Sequence, residues 1–380
     1  MPETTQVPEL LRKLHELTEL KPVKGKDPFV QQLYRKQLEE NIAFNAAIIA
    51  KWEQLLETDV RDWRWVDSPP DFSLADLKDI ALNLADSKYE LLILEDRHQE
   101  ALNLSIKMLR FARSFQLGQD ESRMWTVGSL IHLPSLIKIQ EAITGEFIGD
   151  DSLETTQREL TALEFKPVEL NIYFRHSYQD LTGYLDAQAE MGRLNRNTTL
   201  TLGTEIITQL LEVNNGGDDG LLKAGELTTD YLNRLETPSL SNRFHPNANG
   251  LSWLSLSISA IDAQIEHAIL ALAYHRMTIA ALAVRRFELA HGKLPEKLEE
   301  LVPEYIASTP LDPYNGQPIR WNKGNQTLYS VYENKTDDGG HIDVPGGRSR
   351  DRGVRYPWSD AARETRAKSR ADKQRAAEGK

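Results

Sequence analysis

The stretch HGKLPEKLEELVPEYIASTPLDPYNGQPIRWNKGNQTLYSVYENKTDDGG, residues 291–340, decides the fold of this chain. A long apolar pattern runs into it and stops there. Ile258, Ile261, Ile265, Ile269, Leu272, Met277, Ile279, Leu282 and Phe287 recur at helical spacing. Alanines at 268, 271, 273, 280, 281 and 283 allow neighbouring helices to approach closely. This spacing predicts a central core helix from about Leu254 to Ala290. Gly292, with no Cβ to clash, suits its C-terminal cap. Pro295 then starts a short helix, Leu294 to Val302. Beyond it, Pro318 to Asn322 and Leu328 to Tyr332 are expected as two antiparallel strands around Asn322-Lys-Gly-Asn-Gln326.

Upstream, helical periodicity dominates. Residues 8–20 fit a short amphipathic helix. Pro28 to Thr58 fits a long one, with Leu38, Ile42, Ala46, Ile49 and Trp52 on one face. Pro69-Pro70 breaks the pattern, and Ser73 is placed to cap the next helix. Leu74 to Leu94 and His98 to Phe115 form a helical hairpin, similar to those of tetratricopeptide-like arrays but not repeated afterwards. Further helices are expected at 123–144, kinked at Pro134, and at 152–163, 168–191, 201–213 and 225–236. The fold class is therefore mainly α: antiparallel helical hairpins or a bundle, a small C-terminal α+β module, and a disordered basic tail. The expected domains are a helical part, 1–253, the long helix with its module, 254–345, and the tail, 346–380.

The chain carries a net charge of −12, which argues against a nucleic-acid partner, since phosphates attract basic surfaces. The charge is uneven: residues 346–380 hold eleven Lys or Arg against five Asp or Glu. Absence of cysteine removes disulfides, thiolate catalysis and zinc–thiolate sites. No stretch is expected to span a membrane. The best, Ala268 to Ala283, is interrupted by His275 and Arg276 and falls short of the roughly 20 residues a bilayer needs. The first residues lack a signal-peptide core. A cytoplasmic location is expected, or the cell envelope if a leader has been removed.

Five elements in order give the C-terminal stretch a family resemblance. They are a helix ending in His291-Gly-Lys-Leu-Pro295, Leu298 to Val302, Pro310-Leu-Asp-Pro313 with Gly316-Gln-Pro318, the strand Leu328 to Val331, and the loop Asp337-Asp-Gly-Gly340. From about Arg286 to Gly340 the chain resembles the globular part of the major pseudopilin of type II secretion systems. The remainder is similar to a broad group of bacterial helical proteins that end in the same module. The resemblance implies an α+β end piece and calcium held by its loop. The implied ligands are Asn334, Asp337 and Asp338 with backbone carbonyls, joined by Asp312. Hard-cation chemistry agrees, because Ca²⁺ takes several oxygens on a flexible loop. Two features depart from the family. Tyr332-Glu-Asn334 stands where an Asp is frequent, and the hydrophobic N-terminal filament helix is missing. Asp-Asp-Gly-Gly also suits a tight turn without metal.

A second acidic stretch, Asn214 to Leu227, can be aligned with an EF-hand loop. Asn215 then stands first, Asp219 fifth, Gly220 sixth and Glu226 twelfth. Gly217 and Lys223 occupy ligand positions, so a Gly/Asp-rich helix connection is the competing reading. Two Glu-x-x-His pairs, Glu95/His98 and Glu288/His291, have the spacing of di-iron ligands but lie at helix ends, where histidine caps carbonyls. Trp63 and Trp65 beside the prolines could present an aromatic surface. No catalytic constellation stands out. The expectation is a non-enzymatic structural or protein-interaction protein, with calcium at its C-terminal loop. It would meet a protein partner through its helical surface or basic tail. The alternative is a hydrolase with an acidic cleft within 70–290.

Overall fold

The structure is a computed structural model, and it describes residues 31–57, 85–118, 122–143, 145, 148–190, 196–234, 250–340, 342 and 351–356. The helix expected at 8–20, Trp63, Trp65 and the Pro69-Pro70 break lie outside them. The protein is mainly helical, with a small three-stranded antiparallel sheet near the C-terminus. It divides into two compact units. The first comprises Met1–Arg97, Asn103–Ser135 and Leu163–Leu272, and the second His98–Leu102, Leu136–Ala162 and Ala273–Lys380.

The first unit begins with α1 (Gln31–Phe44) and α2 (Ala46–Leu56). One continuous helix is expected here. A local turn at Asn45, φ −98 and ψ 15, separates the two segments, and its side chain also donates to the carbonyl of Asn41 at 2.9 Å. The main-chain ladder nevertheless continues through it, with Asn45 N–H on the Asn41 carbonyl at 3.0 Å and Ile49 N–H on the Asn45 carbonyl at 2.9 Å. α3 (Ala85–Leu94) and α4 (His98–Gln116) follow, joined through Asp96 in the left-handed region at φ 60. α5 (Ser122–Ala142) continues through Pro134. Aromatic edges order the apolar interior: Trp52 meets Phe111 at 5.2 Å, and Trp125 meets Phe165 at 5.4 Å. Gly128 marks a close approach of α5 to α4. A Cβ there would stand 2.5 Å from the carbonyl oxygen of Ala112.

A polar chain crosses the same interior. Arg113 donates to Glu169 at 2.5 Å and to Gln116 at 2.7 Å, and His132 shares the Gln116 carbonyl at 3.1 Å. His267 bonds the carbonyl of Ser129, and burial holds its imidazole below the ordinary value. Fully partnered polar groups such as these fix one packing, because a slipped register would leave them unsatisfied. α7 (Leu170–Glu190), α8 (Arg196–Val213) and α9 (Gly217–Arg234) complete the unit with the first part of α10 (Gly250–His291).

Helix α10 is the expected core helix. Every apolar residue and alanine named for its face is buried. By length and composition Leu254–His291 could cross a membrane, which differs from the sequence expectation. However, 78% of its most apolar window is buried inside the protein, as for a core helix.

In the second unit, α6 (Asp150–Leu163) packs beside the last part of α10 through side-chain bonds to main-chain carbonyls. His275 reaches Leu160 at 2.7 Å, and Gln157 reaches Tyr305 at 2.7 Å. Arg286 pairs with Asp150 at 2.8 Å and stacks over Tyr305. The short helix expected at 294–302 narrows to one 3₁₀ turn, Leu298–Leu301. Pro295 and Pro303 flank it, and proline cannot donate to a helical ladder.

The sheet runs in the order β1 (Arg320–Asn322), β2 (Thr327–Ser330), β3 (Arg352–Arg355). Trp321 faces Leu328 across the first pair, and Leu328 faces Val354 across the second. β3 corrects the sequence reading, which placed these residues in a disordered basic tail. Gly353 explains why a strand rich in arginine docks. It lies opposite Tyr329, and a Cβ there would sit 2.4 Å from the carbonyl of Leu328. Tyr356 follows the strand and is buried, its hydroxyl 3.4 Å from Glu288, which is itself paired with Arg285 at 2.6 Å.

Candidate cation site

Strand β2 carries Tyr329 over the acidic loop. A Cβ on Gly340 would stand 2.8 Å from the Tyr329 ring, so only glycine fits beneath it. Gly339 and Gly340 both have φ in the left-handed region, at 76 and 73. Glycine adopts that region without penalty. Their N–H groups consequently turn onto two carboxylates: Gly339 donates to Asp337 Oδ1 at 2.9 Å, and Gly340 to Asp351 Oδ2 at 2.7 Å. The Asp-Asp-Gly-Gly sequence is thus a turn that gathers acids.

The four residues implied for the cation are used in different ways. Asp312 is fully buried, and protein donors fill its carboxylate. Oδ1 accepts Tyr314 N at 3.0 Å and Ser330 Oγ at 2.8 Å, while Oδ2 accepts Val331 N at 2.9 Å. Arg320 adds an ion pair at 3.6 Å. This residue pins the corner Pro310–Tyr314 to β2, with most of its acceptor capacity taken by protein donors.

Asp337 is similarly occupied, by Arg320 Nε at 2.9 Å and the Tyr329 hydroxyl at 3.0 Å. Burial alone would raise its carboxyl. The bonds from Gly339 and Tyr329 and the Arg320 charge outweigh burial and hold it below the usual range. Asp338 is less committed: one oxygen accepts the Asn334 amide at 3.1 Å. The Asn334 side-chain oxygen Oδ1 accepts Thr336 N at 3.1 Å.

Asp351 is the residue sequence reasoning missed. It is 2% exposed, yet its Oδ1 has no hydrogen-bond partner. Burial raises its carboxyl above the ordinary value, and the neighbouring charges of Asp337 and Asp338 push the same way. The N–H groups of Gly340 and Asp338 only partly offset them. A buried carboxylate oxygen without a donor is expensive, and an added cation would remove the penalty. The available signal was the alternation of Asp351, Gly353 and Tyr356 with arginines, hidden in a run that reads as basic tail.

No group of three or more His, Asp or Glu side chains converges to hold a metal ion among the described residues. A cation here would rest on Asp338 and Asp351, with carbonyls and water supplying the remainder of the six to eight oxygens that Ca²⁺ takes. Asp312 and Asp337 do not fit as ligands.

The EF-hand alignment is corrected. Residues Asn214–Gly216 form a 3₁₀ turn, and Gly217 at φ 67 opens the continuous helix α9. Asp219 and Glu226 therefore lie on one helix, separated along its axis by about 10 Å at 1.5 Å per residue. They cannot close around one ion. Asn215 turns its side-chain oxygen to the Asn171 amide at 3.2 Å. Gly220 serves packing: a Cβ would stand 2.2 Å from the carbonyl of Val213. Asp218 and Asp219 occupy the first turn of α9, where the helix dipole favours negative charge.

The Glu-x-x-His pairs also have other partners. Glu95 accepts Arg35 and Arg97, at 3.3 and 2.9 Å. His291 lies 3.3 Å from the Tyr305 hydroxyl and stacks on Phe287. No protein-family model, curated protein or solved structure matches this chain.

Proposed function

We propose that the chain is a non-enzymatic structural or protein-interaction protein whose C-terminal module is stiffened by a calcium ion between the 334–340 loop and β3. The single observation behind this is Asp351, buried with one oxygen unpartnered beside two further carboxylates. The resemblance of the module to the pseudopilin globular part supports the choice of metal. Such an ion would tie β3 to the loop and hold the sheet ready as a rigid surface for a partner protein. The surplus of arginine and lysine after residue 346 favours a partner with an acidic face.

The test is thermal melting and calorimetric titration of the full chain with Ca²⁺ and Mg²⁺. Calcium should raise the melting temperature and magnesium should not, because Mg²⁺ demands near-octahedral geometry that a flexible loop seldom supplies. Asp351→Asn should abolish the response. No heat and no shift with the wild-type chain would end the proposal.

A further inference from the structure

We infer that the outer edge of β3 docks an extended acidic segment of a partner protein, which joins the sheet as a further strand. In the described sheet β3 stands at the end of the strand order, with β2 on one side. The register fixes which of its main-chain groups are open. Tyr356 N–H donates to the Gln326 carbonyl at 2.6 Å, one step beyond the pair Thr327 and Arg355. Antiparallel pairs alternate between bonded and unbonded, so Val354 turns its N–H and C=O towards Leu328. Gly353 and Arg355 then turn theirs to the outer edge. Among the described residues, no donor or acceptor meets those groups. Arg352 is exposed and Gly353 and Val354 are half-buried, so the edge reaches solvent.

Charge selects the occupant. Main-chain bonds along an edge accept any extended sequence, and the side chains opposite decide which one is kept. The strand reads Arg352-Gly-Val-Arg355, within a stretch where eleven Lys or Arg stand against five Asp or Glu. Arg352 lies over the Tyr332 ring at 4.6 Å and makes no ion pair among the described residues. Opposite charges across a ladder stabilise it, and like charges weaken it. A second copy would bring the same arginines, and charge on an edge strand turns such pairing away. An acidic segment is drawn in instead. In antiparallel register one glutamate would stand opposite position 352 and another opposite position 355, with two residues between them opposite Gly353 and Val354. The inference names the surface and the chemistry of the partner in the proposed function and rests on that reading. It does not require the ion.

Titration of the full chain in chelator with two capped hexapeptides, Thr-Glu-Val-Thr-Glu-Val and Thr-Lys-Val-Thr-Lys-Val, tests this. The glutamate peptide should bind about tenfold or more tightly, as two reversed charge pairs supply. Amide exchange locates it: the bound peptide should protect Gly353 and Arg355 N–H and leave Val354 as it was. N-methylation of the second and fourth peptide residues, whose amides would point at β3, should abolish binding with the charge kept. Arg352→Glu should erase the preference, with Val354 still protected as the sign that β3 stays docked. Equal affinities for the two peptides, binding that survives N-methylation, or amides of Gly353 and Arg355 already protected in the free protein would each overturn the inference. So would protection that grows with protein concentration alone, which marks a second copy. A calcium response without peptide binding would sink this edge and spare the ion. Peptide binding without a calcium response would do the reverse.

Discussion

Asp312 and Asp351 lie in the same small module, at the corner before β1 and at the start of β3, and both are shut off from water at 0% and 2% exposure. Their surroundings differ. Three hydrogen-bond donors and a nearby guanidinium serve Asp312, whereas Asp351 keeps one oxygen unpartnered. Burial of a carboxylate therefore does not mark a ligand. What marks it is the number of its lone pairs that the protein leaves unfilled. The well-supplied acid is a structural pin, and the other is where an outside cation would lower the free energy.

The largest expected effect comes from removing the pin. Asp312→Ala should lower stability by roughly 3–5 kcal/mol, because three buried donors and an arginine lose their acceptor. Denaturant unfolding would measure it, and the loss should be the same with and without calcium. If Asp351→Ala costs as much in calcium-free buffer, the distinction between the two acids collapses. Gly353→Ala should come next, at about 1–3 kcal/mol, since the new methyl group enters the Leu328 carbonyl. Loss of amide-exchange protection in β2 and β3 would be its signature.

A smaller and opposite effect separates Asp351 by charge. Its folded-state carboxyl is raised, so folding prefers the protonated form. The stability this brings is present below the unfolded value and is lost as pH rises through the folded one. Asp351→Asn keeps an acceptor for Gly340 without the buried charge. In calcium-free buffer at neutral pH it should match or exceed wild type, and the difference should shrink on acidification towards pH 4. With calcium present the order should reverse. A variant less stable than wild type in chelator at pH 7 would show that the charge is balanced by something else. The smallest effect is expected at α9. Asp219→Asn at its exposed helix start should change stability by no more than about 0.5 kcal/mol and leave any calcium response intact.

The helical portion was legible because apolar spacing and burial are the same information. Ile258 to Phe287 repeat at the period of a helix, and all become core. The acids Asp337 and Asp338 were legible because they share one turn with the glycines that shape it. Asp351 was not, as antiparallel pairing brings it back from thirteen residues downstream, and pairing leaves little trace in a strand half made of arginine. Gly220 misled for a related reason. A glycine among acids reads equally as a metal-loop turn or as space for a neighbouring carbonyl, and only the backbone of Val213 decides. Likewise, no local pattern announces that Asp312 meets β2 from across a corner.

Trp321 donates its indole N–H to the carbonyl of Pro295 at 3.0 Å and receives the Tyr356 ring edge-on at 6.1 Å. The indole thus senses Tyr356, the residue that follows the third strand. Undocking that strand would wet the indole and shift its emission to the red. The difference in fluorescence between the protein and a Trp321→Phe variant is then an optical gauge of strand attachment, readable in real time as a cation is mixed in.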